Sequence, residues 1–219
     1  MESKKESQLL ISANLGSVSM ITSMPKNPIA ILILAHGAGA GMTHSFMASL
    51  SDELAVRNIA TVRFNFLYIE KKSRRPDPAP IAEKTVAMVI NYVQESYPAI
   101  PLYAGGKSFG GRMTSQWLSK ECPDYVKGIV FFGFPLHPIG QPSIDRAQHL
   151  KKITRPMLFL QGTKDKLADM ALLEDVVKDL PLATLNKWEG ADHSFKLGKQ
   201  NLIPQLADAT AHWVKNLKQ

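Results

Sequence analysis

At 219 residues, with 45% hydrophobic and 21% charged side chains, the chain is long enough to bury one full core and reads as a single domain, 1–219. No apolar run reaches the roughly 18 residues of a membrane-spanning helix. The polar start Met1 to Ser7, followed only by Leu9-Leu10-Ile11, lacks a signal peptide's apolar stretch. One cysteine, Cys122, excludes an internal disulfide, so the expected location is the cytoplasm, away from membranes; the net charge of +7 leaves an anionic partner open.

Taken in chain order, residues 8–23 read as two strands in an edge hairpin. A strand at 29–35 follows, the most apolar in the chain, then a helix near 43–57 with Phe46, Leu50 and Leu54 on one face. After a strand at 60–66, the basic cluster Lys71, Lys72, Arg74, Arg75 and the proline-rich Pro76 to Pro80 read as a surface excursion. That excursion is either a plain solvated loop or a flap that draws anionic substrates or a partner. No aromatics interleave with its charges, so nucleic acid is not an expected partner. Helix 81–96 carries Ala82, Val86, Val89, Ile90 and Val93 at helical spacing. Strand 101–106, helix 109–121, strand 127–134, strand 156–161, helix 168–180, strand 183–188 and helix 201–217 complete the series. Strands alternating with helices predict an α/β protein, a mostly parallel central sheet covered by helices on both faces, with ligands beyond the carboxyl ends of the strands.

Gly106-Lys107-Ser108-Phe109-Gly110 fits G-x-S-x-G, a serine held on a sharp turn between a strand and a helix so that it can attack a carbonyl. A phosphate-binding loop would need a glycine five residues before Gly106, where Pro101 stands, so that alternative fails on spacing. The strand 156–161 runs into Gly162-Thr163-Lys164-Asp165, which sets an acid at its carboxyl end. His193 lies in the loop Gly190 to Phe195, before the last helix. Serine, then acid, then histidine is the chain order of the triad in α/β-hydrolases. The strand 29–35 ends in His36-Gly37-Ala38-Gly39-Ala40-Gly41, whose glycines let backbone N–H groups approach a ligand. The N–H groups of Phe109 and Ala38, with Gly39 as the alternate, are the candidate oxyanion donors.

Other acids, histidines and one arginine compete with these for a role. Asp192 adjoins His193 in sequence with its side chain expected to turn away, and Asp145 follows strand 127–134. His36 reads as a hydrogen-bonded structural histidine, His44, His149 and His212 show no partner, and Arg112 reads as an ion-pair former. No His, Cys, Asp or Glu cluster has metal-ligand spacing, and no cofactor is expected.

Together, His36 to Gly41, Gly105 to Arg112, Gly133-Phe134-Pro135-Leu136-His137-Pro138, Gly162 to Asp165 and Ala191 to Phe195 resemble the α/β-hydrolase superfamily. The likeness is to its small lidless serine hydrolases, such as dienelactone hydrolases. More narrowly, the chain resembles the group related to testis-expressed protein 30 and the third regulatory subunit of the NSL histone-acetyltransferase complex. The resemblance implies an α/β-hydrolase fold and hydrolysis of a small ester, thioester or lactone by Ser108, His193 and Asp165 through an acyl-enzyme. A non-catalytic binding or scaffold protein on the same fold is the alternative. Leu136 to Arg155, where larger relatives insert a cap domain, is too short for one. The expected pocket is therefore shallow and partly open, with His137, Pro138 and Ile139 as candidates for its wall.

Overall fold

The computed structural model describes residues 3–217. Eight strands form one sheet in the order β1 (Ser3–Ser12), β2 (Gly16–Met24), β4 (Ile59–Phe64), β3 (Ala30–Ala35), β5 (Leu102–Lys107), β6 (Val126–Phe132), β7 (Met157–Gly162) and β8 (Ala183–Trp188). The β1–β2 and β2–β4 pairs are antiparallel, and every pair from β4 through β3 to β8 is parallel. A two-stranded ribbon, β9 (Lys196–Leu197) with β10 (Gln200–Asn201), follows the sheet's last strand.

Two-sided coverage explains the apolar runs. All six positions of β3 are buried, as expected of a parallel strand with helices on both faces. Its side chains alternate between two cores. Ala30, Leu32 and Leu34 join the cluster beneath α1 (Ser45–Val56) and α6 (Ile203–Asn216). Ile31, Ile33 and Ala35 join the cluster beneath α3 (Ala79–Ser96), α4 (Phe109–Leu118) and α5 (Met170–Lys178). Strands β6 and β7 split the same way, with Phe131 and Phe159 on one side and Phe132 and Leu160 on the other. Leu50 and Leu54 of α1 are fully buried, each stabilising the fold by about 1.5–3 kcal/mol.

The departures from expectation have local causes. β1 begins at Ser3, five residues before the expected 8, because it is an edge strand; its first four residues are exposed, so no burial pattern marks them. β4 stops at Phe64, since Asn65 and Phe66 turn into the short helix α2 (Leu67–Glu70). α3 starts at Ala79, capped by Pro78 and with a proline in its first turn, a place where the missing N–H costs nothing. A 3-10 stretch at Asp145–Lys152 and the β9–β10 ribbon were not anticipated. Among the described residues, no helix is long and apolar enough to cross a membrane.

Candidate active site

β5 ends at Lys107 and α4 begins at Phe109, leaving Ser108 between them at φ 50° and ψ −114°. A non-glycine residue there is strained by about 1–3 kcal/mol, a cost the surroundings must impose. The two glycines of the pentapeptide show how they do. A Cβ at Gly106 would sit 2.2 Å from the carbonyl oxygen of Ala35, and one at Gly110 would sit 2.5 Å from that of His36. Without them, β5 and α4 could not close on the end of β3, and the turn could not stay this tight.

Ser108, His193 and Asp165, each at the carboxyl end of a different strand, come together. His193 Nδ1 is 2.6 Å from Asp165 Oδ2, and Nε2 is 2.9 Å from Ser108 Oγ. A carboxylate only accepts, which assigns the proton to Nδ1 and leaves the lone pair on Nε2 to accept from the Ser108 hydroxyl. Asp165 is buried at 5% exposure. Its Oδ2 also accepts from Gln161 Nε2 (2.6 Å), and its Oδ1 accepts from the Leu167 N–H (2.8 Å). Gln161 is in turn fixed by accepting from the Phe134 N–H at 2.8 Å. Sequence reading passed over Gln161. The signal was there: it is the one polar side chain within the buried strand Met157 to Gly162.

The loop carrying His193 is pinned from two sides. Asp192 Oδ1 accepts from the N–H groups of Ser194 and Lys196, at 2.8 Å each, so its carboxylate serves the loop backbone. The Lys107 ammonium donates to the His193 carbonyl at 2.5 Å and lies 5.5 Å from the Phe195 ring centroid. This second tie was also missed, because Lys107 occupies a position that the G-x-S-x-G pattern leaves free.

The Gly37 loop lies against Ser108: a Cβ on Gly37 would be 3.8 Å from the Ser108 Cβ. His36 is fully buried; its Nε2 accepts from the Phe66 N–H (3.0 Å) and its Nδ1–H donates to the Gly37 carbonyl (2.7 Å). The Tyr68 hydroxyl donates to the carbonyls of Gly37 (3.2 Å) and Ala38 (2.9 Å). In a trans peptide the N–H points opposite to the carbonyl. Holding these two carbonyls therefore turns the N–H groups of Ala38 and Gly39 away from His36 and Tyr68. Among the described residues, neither those N–H groups nor that of Phe109 has an acceptor. Tyr68, on α2, was not singled out from sequence.

Burial pushes the His36 imidazole down to about 4, with only partial offset from the Gly37 carbonyl and from Glu70. The unfolded chain takes up this proton near pH 6.5 and the folded chain does not, so the stabilisation is complete above 6.5 and is lost as pH falls toward 4. The loss is about 3 kcal/mol. Guanidinium melts at pH 7 and pH 4.5 will show a lower midpoint at the acid pH. A His36→Gln variant will show a shallower decline, and an equal decline would remove His36 as its source. His149, lowered to about 4 chiefly by burial and also by Arg112, adds to the slope in the same direction.

Several expectations need correction. His137, Pro138 and Ile139 are not beside Ser108. His137 and Pro138 line a separate hollow of about 400 Å³, and Ile139 is 65% exposed. The cause is a set of ties to the turn after β7: the His137 N–H donates to the Leu167 carbonyl (3.0 Å), and His137 Nε2 accepts from the Asp169 N–H (2.8 Å). These carry the chain away from the serine. Arg112 forms no ion pair among the described residues and is desolvated beside Arg146. His149 does have a partner, Ser115 Oγ at 2.7 Å; so do His44, which caps α1 at the Phe46 N–H, and His212, beside Asn216. Asp145 starts the 3-10 stretch.

The hollow that holds Ser108 and His193 has a volume of about 760 Å³ and is open to solvent. Its walls are the 37–40 loop, the start of α1 at His44, Phe46 and Met47, and the segment 194–203 around the β9–β10 ribbon. The basic run Lys71 to Arg75 is exposed and lines no part of it.

The chain is similar over nearly all of its length to several solved structures. An alpha-beta serine hydrolase homologue from Coxiella burnetii is 20% identical, with 96% of this chain and 97% of that one covered and a TM-score of 0.74. The dienelactone hydrolase of Anabaena variabilis is 17% identical, with coverage of 97% and 98% and a TM-score of 0.77. A lidless α/β serine hydrolase from Xanthomonas campestris is 19% identical, with coverage of 97% and 94% and a TM-score of 0.75. At these identities the likeness establishes the fold. The sequence pattern of an alpha/beta hydrolase domain matches residues 28–217, and the chain belongs to that family.

Proposed function

We propose that the protein is a serine hydrolase acting on a small ester, thioester or lactone. The observation that carries this reading is the continuous chain Ser108 Oγ, His193, Asp165 at 2.9 and 2.6 Å, opening on a hollow of about 760 Å³. In this mechanism His193 Nε2 takes the Ser108 proton as Oγ attacks the carbonyl carbon, and Asp165 stabilises the imidazolium. The N–H groups of Phe109 and Ala38, with Gly39 as alternate, receive the oxyanion; losing one such donor costs on the order of 100- to 1000-fold in turnover. Collapse breaks the bond to the leaving alcohol or thiol, which takes the proton from Nε2. Water then attacks the acyl-serine with His193 again as base, releasing the acid and restoring Ser108.

The narrower kinship with the group of testis-expressed protein 30, a single domain and a cytoplasmic location belong to the same proposal. They are supported by the motifs from His36 to Phe195, which span most of the chain, and by its single cysteine, Cys122. Purified protein is expected to hydrolyse p-nitrophenyl esters of short acids faster than long-chain ones, because the hollow is open and offers a long chain little burial. No turnover above the buffer rate across acetyl to decanoyl esters would oppose the reading and favour a binding protein.

A further inference from the structure

The hollow at Ser108 carries one sign of charge. Lys107, Lys196 and Lys199 line it with His44 and His193, and among the described residues no Asp or Glu does, although the chain holds 19 acidic residues. Two of these lysines, Lys196 and Lys199, sit on the exposed β9–β10 ribbon at the rim. The third is different. Lys107 forms no ion pair among the described residues, and its one hydrogen bond goes to a neutral acceptor, the His193 carbonyl. Burial lowers its ammonium to about 8, with Asp165 and Asp192 only partly offsetting this. Both carboxylates have other work: Asp165 serves His193, Gln161 and Leu167, and Asp192 serves Ser194 and Lys196 backbone. The first turn of α1, which forms another wall, contains no acidic side chain. Its positive end therefore meets no carboxylate in that turn, only the His44 cap. A cationic hollow short of counter-ions, with an apolar side at Phe46, Leu202 and Ile203, suits a ligand that brings its own negative charge on a short hydrocarbon.

Resting on the reading of Ser108 as nucleophile, we propose that the preferred substrates are small esters carrying a free carboxylate, held by the ammonium groups of Lys196 and Lys199, with the buried charge of Lys107 adding to the attraction from behind. The test compares charged and neutral esters of matched size. Monomethyl against dimethyl glutarate puts the charge on the acyl side, and O-acetylglycolate against ethyl acetate puts it on the alcohol side. In at least one pair the charged ester will have kcat/KM higher by about tenfold at low ionic strength, mainly through KM, and salt will shrink the gap. The double variant Lys196→Gln/Lys199→Gln will lower that ratio several-fold, whereas Lys71→Gln/Lys72→Gln, outside the hollow, will not change it. Ratios of one or less in both pairs overturn the inference while leaving the hydrolase reading intact. So does a ratio that responds to Lys71 and Lys72 instead, which would assign the preference to net charge.

Binding separates the two claims. The Ser108→Ala protein is expected to bind monomethyl glutarate about tenfold more tightly than dimethyl glutarate by calorimetry. Such binding without any turnover by the unaltered protein would sink the hydrolase and keep the anion site. Equal or no binding of the two would sink the anion site.

Discussion

Replacing Ser108 with alanine will lower kcat/KM for a small ester by on the order of 10⁴- to 10⁶-fold and leave the fold in place. The loss is large because the Oγ is the atom that forms the bond, and no other side chain in the hollow stands 2.9 Å from His193 Nε2. The fold survives because, among the described residues, that contact is the only side-chain hydrogen bond of Ser108. Stability carries a second reading of the same residue. At φ 50° and ψ −114° any Cβ is strained, and glycine is not. Ser108→Gly will therefore be as inactive as Ser108→Ala yet more stable than it by about 1 kcal/mol, or roughly 2–4 °C in Tm for a chain of this size. A glycine variant that melts below the alanine variant would show that the turn is not strained there. Both variants should be measured by circular dichroism melts beside initial rates.

Asp165→Asn will reduce kcat by on the order of 10³- to 10⁴-fold with a smaller change in KM. The carboxylate's Oδ2 receives two donors, His193 Nδ1–H and Gln161 Nε2. An amide offers one oxygen and one NH₂. If the oxygen stays at the Oδ2 position, the NH₂ faces the Leu167 N–H, donor against donor, where Oδ1 now accepts at 2.8 Å. If the amide flips, the NH₂ faces Gln161 and His193, and the histidine proton moves to Nε2, where it can no longer accept from Ser108. Either outcome also removes the negative charge that stabilises the imidazolium. A loss of less than tenfold would mean that another acid serves His193. Asp192 is unsuited, since its Oδ1 is held by the Ser194 and Lys196 N–H groups.

What the sequence made legible follows the range of the interactions involved. The alternation of strands and helices and the fully apolar run Ile31 to Leu34 reflect burial on two faces, which acts on consecutive residues and can be read locally. The serine turn could be read because Gly106 and Gly110 are required by backbone contacts to Ala35 and His36. Asp165 and His193 followed from chain order and from their place at strand ends. The wall of the hollow is another matter. It is built by α1 and by 194–203, parts brought to Ser108 only by the completed sheet. The loop after β6, nearer in sequence, is drawn off by the bonds from His137 to Leu167 and Asp169. Tyr68 and Lys107 act through hydrogen bonds to carbonyls of loops distant in sequence, and Gln161 links the nearby Asp165 carboxylate to the distant Phe134 N–H; such bonds leave no periodicity. Arg112 shows the converse error. A cation near a helix start suggested an ion pair, but its surroundings supply Arg146 instead of an acid.

The central claim is that Ser108 is an activated nucleophile, and reaction with a fluorophosphonate followed by peptide mass mapping tests it most directly. The phosphonyl group traps only a serine whose proton a neighbouring base removes. The expected result is one adduct per chain, on the peptide containing Ser108, absent in Ser108→Ala and much slower to form in His193→Ala. Folded protein that takes up no label, or takes it up at another residue at the same rate in all three proteins, would contradict the account.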